Sequence, residues 1–441
     1  IMTFQPNSSK TLQSMLEAID HDDIKSLLKF IPNDLLVNKA LNIGPPVSEF
    51  DISNQLKIIA NKNHVEKKIY FTGNGIYDHF VPSIVDFISL RSEFYTAYTP
   101  YQPEVSQGTL QCLYEYQTLI CELSGMDISN ASIYDGASAL FEACILTHTY
   151  NKKNKIFISE SVYDNYFSVV QTLEDNLNLK IEKIPLKNGV TDLNSIKNFD
   201  NLSAIIIQSP NKYGILESWK NTAKKINNSD VILISISNPL CLSKIEPPGN
   251  CGSDIFIADG QSLGNYMNYG GPGLGIMSVK NKFMRKIPGR IIGRTVDKKG
   301  REGFVLTLQT REQHIRRENA TSNICTNQSL LALRALIYMT SIGKVGIQEV
   351  INICINKTYF LINEINNLKN FNVPFNQNIL NEFLIETSYE IDSIIDKGYQ
   401  NNIYLSKAKY KDRMYIQIAV TEKRTKEELL KLIDLLNSFN E

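Results

Sequence analysis

Tyrosine hydroxyl groups are concentrated in the segment SEFYTAYTPYQPEVSQG, which covers residues 92–108. Its polar side chains include those of Tyr95, Tyr98, Thr99, Tyr101 and Gln102. Rigid aromatic side chains give contact area and hydrogen bonds at a low cost in conformational entropy. The prolines and the glycine predict turns rather than a long regular element. These residues alone leave two alternatives open: a structural loop, or a polar surface that reaches into a reaction site.

Cationic side chains are dense in LTLQTREQHIRRENATSNICTNQSLL, residues 306–331. His314 is surrounded in sequence by Arg311, Arg316 and Arg317. A guanidinium group can bind a phosphate or a carboxylate through two parallel hydrogen bonds. The alternative is a structural loop in which these cations pair with Glu312 and Glu318.

Small polar side chains follow in the same block, at Thr321, Ser322 and Asn323, and an apolar run comes after them. Such side chains are typical N-caps, so we expect them at the start of a helix formed by the apolar run. Free backbone N–H groups at a helix start attract anions such as phosphate.

Two glycine-containing segments are further candidates for binding. YDGASALFEA (134–143) predicts a turn that enters a helix and could hold phosphate, or else a plain helix start capped by Asp135. ADGQSLGNYMNYGGPGLG (258–275) holds six glycines in 18 residues after a predicted strand. It contains no lysine and no Ser–His pair, so it is a candidate cofactor loop or a tight connection between strands.

Short β-branched runs alternate with longer helical or polar segments through the middle of the chain. This pattern predicts crossover units and a mainly parallel sheet covered by helices. Ligands bind such sheets at the carboxyl ends of the strands, so the loops after Ser159, Gln208, Ser237 and Ala258 are where we expect chemistry. The predicted strands are residues 155–159, 179–184, 203–208, 230–237, 254–258 and 273–279.

The remaining segments suggest three regions. Residues 1–70 are predicted as an N-terminal helical extension, because Leu12, Met15, Leu16 and Ile19 share one helical face. Residues 71–340 form the predicted large domain, and residues 341–441 a small α+β domain that begins with a long helix and ends with a helix. In the large domain, residues 106–124 predict an amphipathic helix that stops at Gly125, and RIIGRTVDKKGREGF (290–304) predicts a hairpin without chemistry.

Composition limits the function classes. The 441 residues carry 46 basic and 46 acidic side chains, which argues against a general nucleic-acid binder. No apolar run approaches the roughly 18–20 residues of a membrane span, and no secretory signal pattern is visible. Seven cysteines without a CxxC pair predict a cytoplasmic protein, and five histidines without ligand spacing predict no metal site.

Three of these segments together resemble the glycine decarboxylase family, the P-protein of the glycine cleavage system. They are TAYTPYQPEVSQGTLQ, GRIIGRTVDKKGREGFVLTLQTREQHIRR and ATSNICTNQSLLAL. The resemblance runs from about residue 10 to 435 and corresponds to the N-terminal half of the one-chain enzyme. In many prokaryotes this half is a separate subunit 1, or α, which pairs with a β subunit in an α2β2 assembly.

The resemblance implies a fold-type-I architecture of pyridoxal-phosphate (PLP) enzymes. It comprises a mainly parallel seven-stranded sheet in a large domain and a small α+β C-terminal domain. The implied reaction is the decarboxylation of glycine with PLP as electron sink, followed by transfer of the aminomethyl group to the lipoyl arm of the H-protein. The implied partners are therefore subunit 2, the H-protein and glycine, with no nucleic acid and no membrane.

The resemblance also raises the question of which chain holds the cofactor. Aligning the two glycine-rich loops puts Gln261 where the β half has its PLP-binding lysine, and an amide cannot replace that amine. Lys244 and Lys280 do not suit the role. Asn238 stands before Pro239 where a PLP-binding chain has an aspartate. We therefore expect PLP on the partner subunit and a degenerate cofactor site here.

Fold-type-I active sites lie at interfaces, so the resemblance assigns the polar segments of this chain to the partner's pocket. Tyr95, Tyr98, Thr99, Tyr101 and Gln102 are expected to line the entrance for glycine and the lipoyl arm, and Thr321, Ser322 and Asn323 to meet the partner's cofactor phosphate. Arg311, His314, Arg316 and Arg317 are expected to orient that loop, bind a carboxylate or lock the interface. Two alternatives remain: a self-sufficient PLP decarboxylase or aminotransferase, and a non-catalytic scaffold or regulatory subunit. A homodimer of the isolated chain also stays open.

Overall fold

The computed structural model describes residues 8–37, 39, 41–63, 68–227, 229–309, 312–320, 322–324, 327–375 and 378–440. The contacts divide the chain into two compact units, residues 1–66 and 67–441. The predicted boundary between residues 340 and 341 falls inside a helix of the second unit.

The first unit contains two α-helices in its described part, α1 (Ser9–Glu17) and α2 (Glu49–Asn61). The hydroxyl groups of Ser8 and Ser48 cap them by accepting backbone N–H bonds. The predicted apolar stripe of α1 packs only through Leu16, because Met15 and Ile19 are more than half exposed.

The second unit is built from many strands and helices. Its strands are β1 (Ile69–Tyr70), β2 (Ile128–Ser129), β3 (Lys155–Ser159), β4 (Lys180–Ile184), β5 (Leu186–Lys187), β6 (Val190–Thr191), β7 (Leu202–Gln208), β8 (Ile232–Ile236), β9 (Ile255–Asp259), β10 (Gly275–Val279), β11 (Ile291–Val296), β12 (Glu302–Thr307), β13 (Phe371–Asn372), β14 (Glu382–Thr387), β15 (Ile403–Tyr404), β16 (Ser406–Tyr410) and β17 (Arg413–Ala419). Its helices are α3 (Ser83–Ser89), α4 (Ser92–Tyr95), α5 (Gln107–Ser124), α6 (Gly136–Asn151), α7 (Asp164–Gln171), α8 (Leu173–Leu177), α9 (Trp219–Ile226), α10 (Gln313–Arg316), α11 (Ser329–Asn366), α12 (Ile391–Gln400) and α13 (Lys426–Asn437).

A seven-stranded sheet organises the large part of this unit, with the order β2-β10-β9-β8-β7-β3-β4. Strands β4, β3, β7, β8 and β9 are parallel, whereas β10 runs antiparallel to β9 and β2. The central strands are buried on both faces, as their continuous apolar runs predict. The predicted mainly parallel seven-stranded sheet is therefore confirmed, and each predicted strand is present.

The C-terminal part holds a second, antiparallel sheet with the order β13-β14-β17-β16. Its buried face shares one hydrophobic core with the second half of α11 and with α12 and α13. Thr425 and Glu428 form a capping box at the start of α13. This arrangement has the α+β composition that the sequence predicts for the end of the chain.

Helix α11 has 38 residues and changes direction at Gly343, where φ is 65°. Among the described residues it is the one helix long and apolar enough to meet the length and composition of a membrane span. The sequence analysis expected helix here but no run of membrane-spanning length, because polar residues interrupt the apolar stretch. Of the apolar window, 44% is buried within the protein. Core helices of water-soluble proteins meet the same test, so α11 is weak evidence for a span.

Candidate functional site

A cavity of about 370 Å³ lies at the carboxyl edge of the large sheet, where the topology predicts a ligand site. It is formed by the start of α6, the end of β9 and the glycine-rich loop that follows β9. That loop joins β9 to its antiparallel neighbour β10, so it is the tight connection that the sequence left as an alternative. The lining includes Asn74, Asp135, Gly136, Tyr166, Asp259, Gln261, Gly273 and Gln328.

Gln261 lies one residue beyond the glycine that follows β9 and is buried. Its amide oxygen accepts a hydrogen bond from the backbone N–H of Tyr77 at 2.9 Å. Its amide nitrogen donates to the carbonyl oxygens of Tyr77 and Asn265, at 3.0 and 2.9 Å. The side chain is thus a structural brace between two loops, and it offers no amine to a cofactor.

Two carboxylates occupy the N–H groups at the start of α6. Asp135 accepts from Ser138 N at 2.7 Å, so the capped-helix interpretation of YDGASA is confirmed. Asp259 accepts from Gly136 N at 3.1 Å and from Gln261 N at 2.9 Å. Burial raises the pKa of Asp259 to about 6, while these backbone hydrogen bonds oppose the rise. A phosphate dianion at the start of α6 would need these N–H groups as donors, but the carboxylates of Asp135 and Asp259 already occupy them and would repel it.

The remaining cofactor contacts are also missing from this cavity. The Asn238 side chain accepts hydrogen bonds from Leu240 N and the Ser262 hydroxyl, and its amide carries no charge for a pyridinium nitrogen. Lys280 donates to the carbonyl oxygen of Gly125 instead, and no lysine is among the described residues that line the cavity. A Cβ atom on Gly136 would lie 1.7 Å from the Tyr166 hydroxyl, which fills the space above the helix start. These residues do not fit PLP.

A buried hydrogen-bond network holds the backbone of Asn74, which lines the cavity. Glu382 accepts from Asn74 N at 2.7 Å, from the Tyr77 hydroxyl at 2.8 Å and from Gln417 Nε2 at 2.8 Å. The Tyr77 hydroxyl also contacts the Tyr163 hydroxyl at 2.9 Å. Burial raises the pKa of Glu382 to about 7, and the three donors oppose the rise.

Glu382→Gln is expected to flatten the pH dependence of folding stability. Because the folded-state pKa of Glu382 is raised, its contribution is fully present below about pH 4.5 and is lost as the pH rises through about 7. The shift corresponds to roughly 3 kcal/mol across that window. Urea denaturation at pH 5, 6, 7 and 8 measures it. The exposed Glu390→Gln is the control, and an unchanged slope in Glu382→Gln would refute the assignment.

The tyrosine segment surrounds a second cavity, of about 200 Å³. Tyr95, Tyr98 and Thr99 line it together with Asn327 and Ser329 at the start of α11. Tyr95 and Tyr98 are 63% and 78% exposed, so both aromatic residues are largely open to solvent in this chain. Gln102 is exposed and precedes the short 3₁₀ turn Pro103–Val105. Gln328 lines the first cavity, so both cavities reach the start of α11.

Arg290 is the functional candidate that sequence reasoning missed, because we expected no chemistry from residues 290–304. It lies directly before β11 and is 4% exposed. Its guanidinium donates to the Tyr101 hydroxyl at 2.9 Å and to the Thr99 hydroxyl at 3.4 Å. Arg290 lies 189 residues from Tyr101 and 191 residues from Thr99 in the sequence, so no local sequence pattern connects them and only the fold reveals these contacts.

The cationic block is only partly described. Arg311 lies outside the described residues. His314 is in the short helix α10, is more than half exposed, and has Nδ1 3.6 Å from Glu312 Oε2. This contact is the pairing that the structural-loop alternative expected. Arg316 and Arg317 follow at the end of α10, where Arg317 has a φ of 52°.

The predicted helix start at residues 321–323 is wrong. Helix α11 begins at Ser329, so Ser322 and Asn323 lie in an irregular segment, and Thr321 lies outside the described residues. Two hydrogen bonds between the Asn327 side chain and Ser132 fix the chain directly before the helix. The Ser322 hydroxyl accepts from Ile324 N at 3.1 Å and donates to Glu142. Burial raises the pKa of Glu142 to about 7.

One His–Cys–Glu group lies in the described core, although the sequence shows no ligand spacing. Ligand atoms of His79, Cys354 and Glu422 lie within 4.8 Å of one another. His79 Nδ1 and Glu422 Oε2 are 2.6 Å apart, which is a hydrogen-bond distance, whereas two ligands of one tetrahedral zinc would be about 3.4 Å apart. Phe80 N occupies the other Glu422 oxygen at 2.7 Å. The group is a hydrogen-bonded clamp between two segments.

The architecture is the fold shared by the fold-type-I class of PLP-dependent enzymes. A solved structure of a C-DES mutant with glycine covalently linked to its PLP cofactor superposes with a TM-score of 0.59. The two chains share 12% identity over 83% of this chain and 97% of that one, so the likeness concerns the fold alone. The predicted fold class is confirmed.

The family follows from closer matches. A model of the glycine cleavage system P-protein family matches residues 2–436. A relative from Chloroherpeton thalassium, named "Probable glycine dehydrogenase (decarboxylating) subunit 1", is 42% identical over 99% of this chain and 100% of its own length. A crystal structure of glycine decarboxylase (P-protein) in inhibitor-bound form superposes with a TM-score of 0.92 at 33% identity, covering 99% and 100% of the two chains. The chain belongs to the glycine cleavage system P-protein family.

Proposed function

We propose that this chain is subunit 1 of a glycine dehydrogenase (decarboxylating) and that it is inactive alone. Relatives that align over nearly the full length of the chain are named subunit 1, which supports a heteromeric enzyme. The single observation that supports placing PLP on the other subunit is Gln261. Its side-chain amide is hydrogen-bonded to Tyr77 at the position where a PLP enzyme of this fold needs the amine of a lysine. The second subunit then carries PLP on its own lysine.

The whole enzyme, in this proposal, decarboxylates glycine with the partner's PLP and passes the aminomethyl group to the lipoyl arm of the H-protein. The two subunits form an α2β2 assembly in the cytoplasm. This chain contributes polar side chains to the partner's pocket. The exposed tyrosine segment and the cavity that it lines support this role, since large exposed aromatic surfaces mark binding sites.

Tyr98, Tyr101 and Ser322 are the residues whose removal tests the contribution. Tyr98→Phe and Tyr101→Phe each delete one hydroxyl and keep the ring. We expect each to lower glycine–bicarbonate exchange by the reconstituted enzyme about tenfold or more, because a hydrogen bond to a charged group contributes about 1.5–3 kcal/mol. Ser322→Ala is expected to lower exchange by a smaller factor, because the Ser322 hydroxyl already bonds Ile324 N and Glu142 within this chain.

Tyr399→Phe is the control for these variants, because Tyr399 is 63% exposed but lies on α12 in the C-terminal part. It should keep wild-type exchange. If Tyr98→Phe, Tyr101→Phe and Ser322→Ala also keep wild-type exchange while the two subunits still co-purify, the chain is a scaffold and the proposed contribution is wrong.

A further inference from the structure

Arg290 has a fixed backbone position at the edge of the large sheet. Its carbonyl oxygen accepts a hydrogen bond from Ala131 N at 2.8 Å, and the strand β11 begins at the next residue. The side chain is buried, at 4% exposure. A guanidinium is costly to bury and is therefore held by hydrogen bonds, so its direction is well defined.

The guanidinium of Arg290 reaches the middle of the tyrosine segment. It donates to the hydroxyl groups of Tyr101 and Thr99, and its central carbon lies 5.0 Å from the centre of the Tyr101 ring. The far end of the same segment is fixed separately, by two hydrogen bonds between Gln107 and the backbone of Phe304. The segment has little regular structure of its own, because α4 is four residues long and the following 3₁₀ turn is three residues long. The contacts of Arg290 therefore hold the middle of the segment.

We propose that Arg290 is a positioning residue that sets the conformation of residues 96–102. The planar fork of arginine bonds two hydroxyl groups at once, whereas a lysine ammonium would act as a point charge. The local order of the segment is a property of this chain alone. Its consequence for glycine binding rests on the proposed function, because it requires the tyrosines to line the partner's pocket.

Hydrogen–deuterium exchange on the full-length chain tests the positioning directly. In Arg290→Gln, the backbone amides of residues 96–102, apart from Pro100, are expected to exchange at least tenfold faster, while peptides from β7 and α6 keep wild-type protection. The exchange rates of Arg290→Lys should lie between those of the wild-type chain and those of Arg290→Gln. Arg294→Gln is the matched control, because Arg294 is on β11 but exposed, with Nη1 3.4 Å from Glu302 Oε2. In the reconstituted enzyme, Arg290→Gln is expected to raise the glycine KM tenfold or more, with kcat within threefold.

Unchanged protection of residues 96–102 in Arg290→Gln would overturn the inference, whatever the activity. Lost protection with an unchanged KM would leave the positioning role standing and would count against the proposed role of the tyrosines in the pocket. If Arg290→Gln loses protection throughout the sheet, Tyr101→Phe decides, since it removes the loop-side hydroxyl and leaves the buried cation intact. Faster exchange confined to residues 96–102 in that variant supports the inference, and wild-type exchange overturns it.

Discussion

Alanine at position 214 is expected to prevent the chain from reaching its folded state. Gly214 has a φ of +83°, and a Cβ atom added there would lie 1.6 Å from the backbone carbonyl oxygen of Glu382. Both groups belong to the backbone, so neither can yield without moving the loop after β7 or strand β14. The left-handed conformation adds about 1–2 kcal/mol for a residue with a Cβ. We expect a total loss above about 4 kcal/mol, an exceptional value for one substitution.

Gly300→Ala separates the two contributions. Gly300 lies at the tip of the β11–β12 hairpin with a φ of +76°, and nothing lies within 4 Å of its added Cβ among the described residues. Alanine there should cost only the conformational penalty, about 1–2 kcal/mol. Soluble yield and urea denaturation followed by circular dichroism measure both variants. A Gly214→Ala chain as stable as Gly300→Ala would show that the loop and the C-terminal sheet do not approach as described.

The second large effect concerns catalysis by the isolated chain. Supplied with PLP, glycine, bicarbonate and lipoylated H-protein, the chain alone is expected to give no exchange above the blank. Adding subunit 2 should raise the rate by at least about a thousandfold, because the chemistry of this reaction belongs to PLP and enzymes typically accelerate reactions by about six orders of magnitude or more.

Gln261→Lys refines this prediction. The variant supplies an amine after β9, yet Asp135 and Asp259 still occupy the N–H groups at the start of α6. We therefore expect it to remain inactive alone, and to be less stable because three hydrogen bonds of Gln261 are lost. Exchange by wild-type chain without subunit 2 would refute the division of labour between the subunits.

The fold was largely predictable from local patterns. The continuous β-branched runs at Leu202–Gln208 and Ile232–Ile236 can satisfy burial on both faces only inside a covered parallel sheet. The helix Gln107–Ser124 follows from its apolar period, and Gly125 ends it with a φ of 67°. The sequence predicts two helices where the structure has the single helix α11, since Gly343 bends it but does not end it.

The site was less predictable because its contacts are long-range. The tyrosine segment was visible as a composition, but its anchor at Arg290 lies 189 positions away from Tyr101 and carries no local signal. Ser322 was misplaced because capping propensity is a local signal, whereas tertiary bonds of Asn327 fix the chain directly before the helix. Gln261 was found through the family resemblance, while Asp259 became visible only when the fold brought it to the start of α6.

The location of the pyridoxyl group tests the central claim most directly. The reconstituted enzyme is treated with borohydride, which fixes PLP to the lysine that holds it, and peptides of both subunits are mapped by mass spectrometry. We predict one modified lysine on subunit 2 and an unmodified chain here. Stoichiometric pyridoxyl on any lysine of this chain would contradict the account.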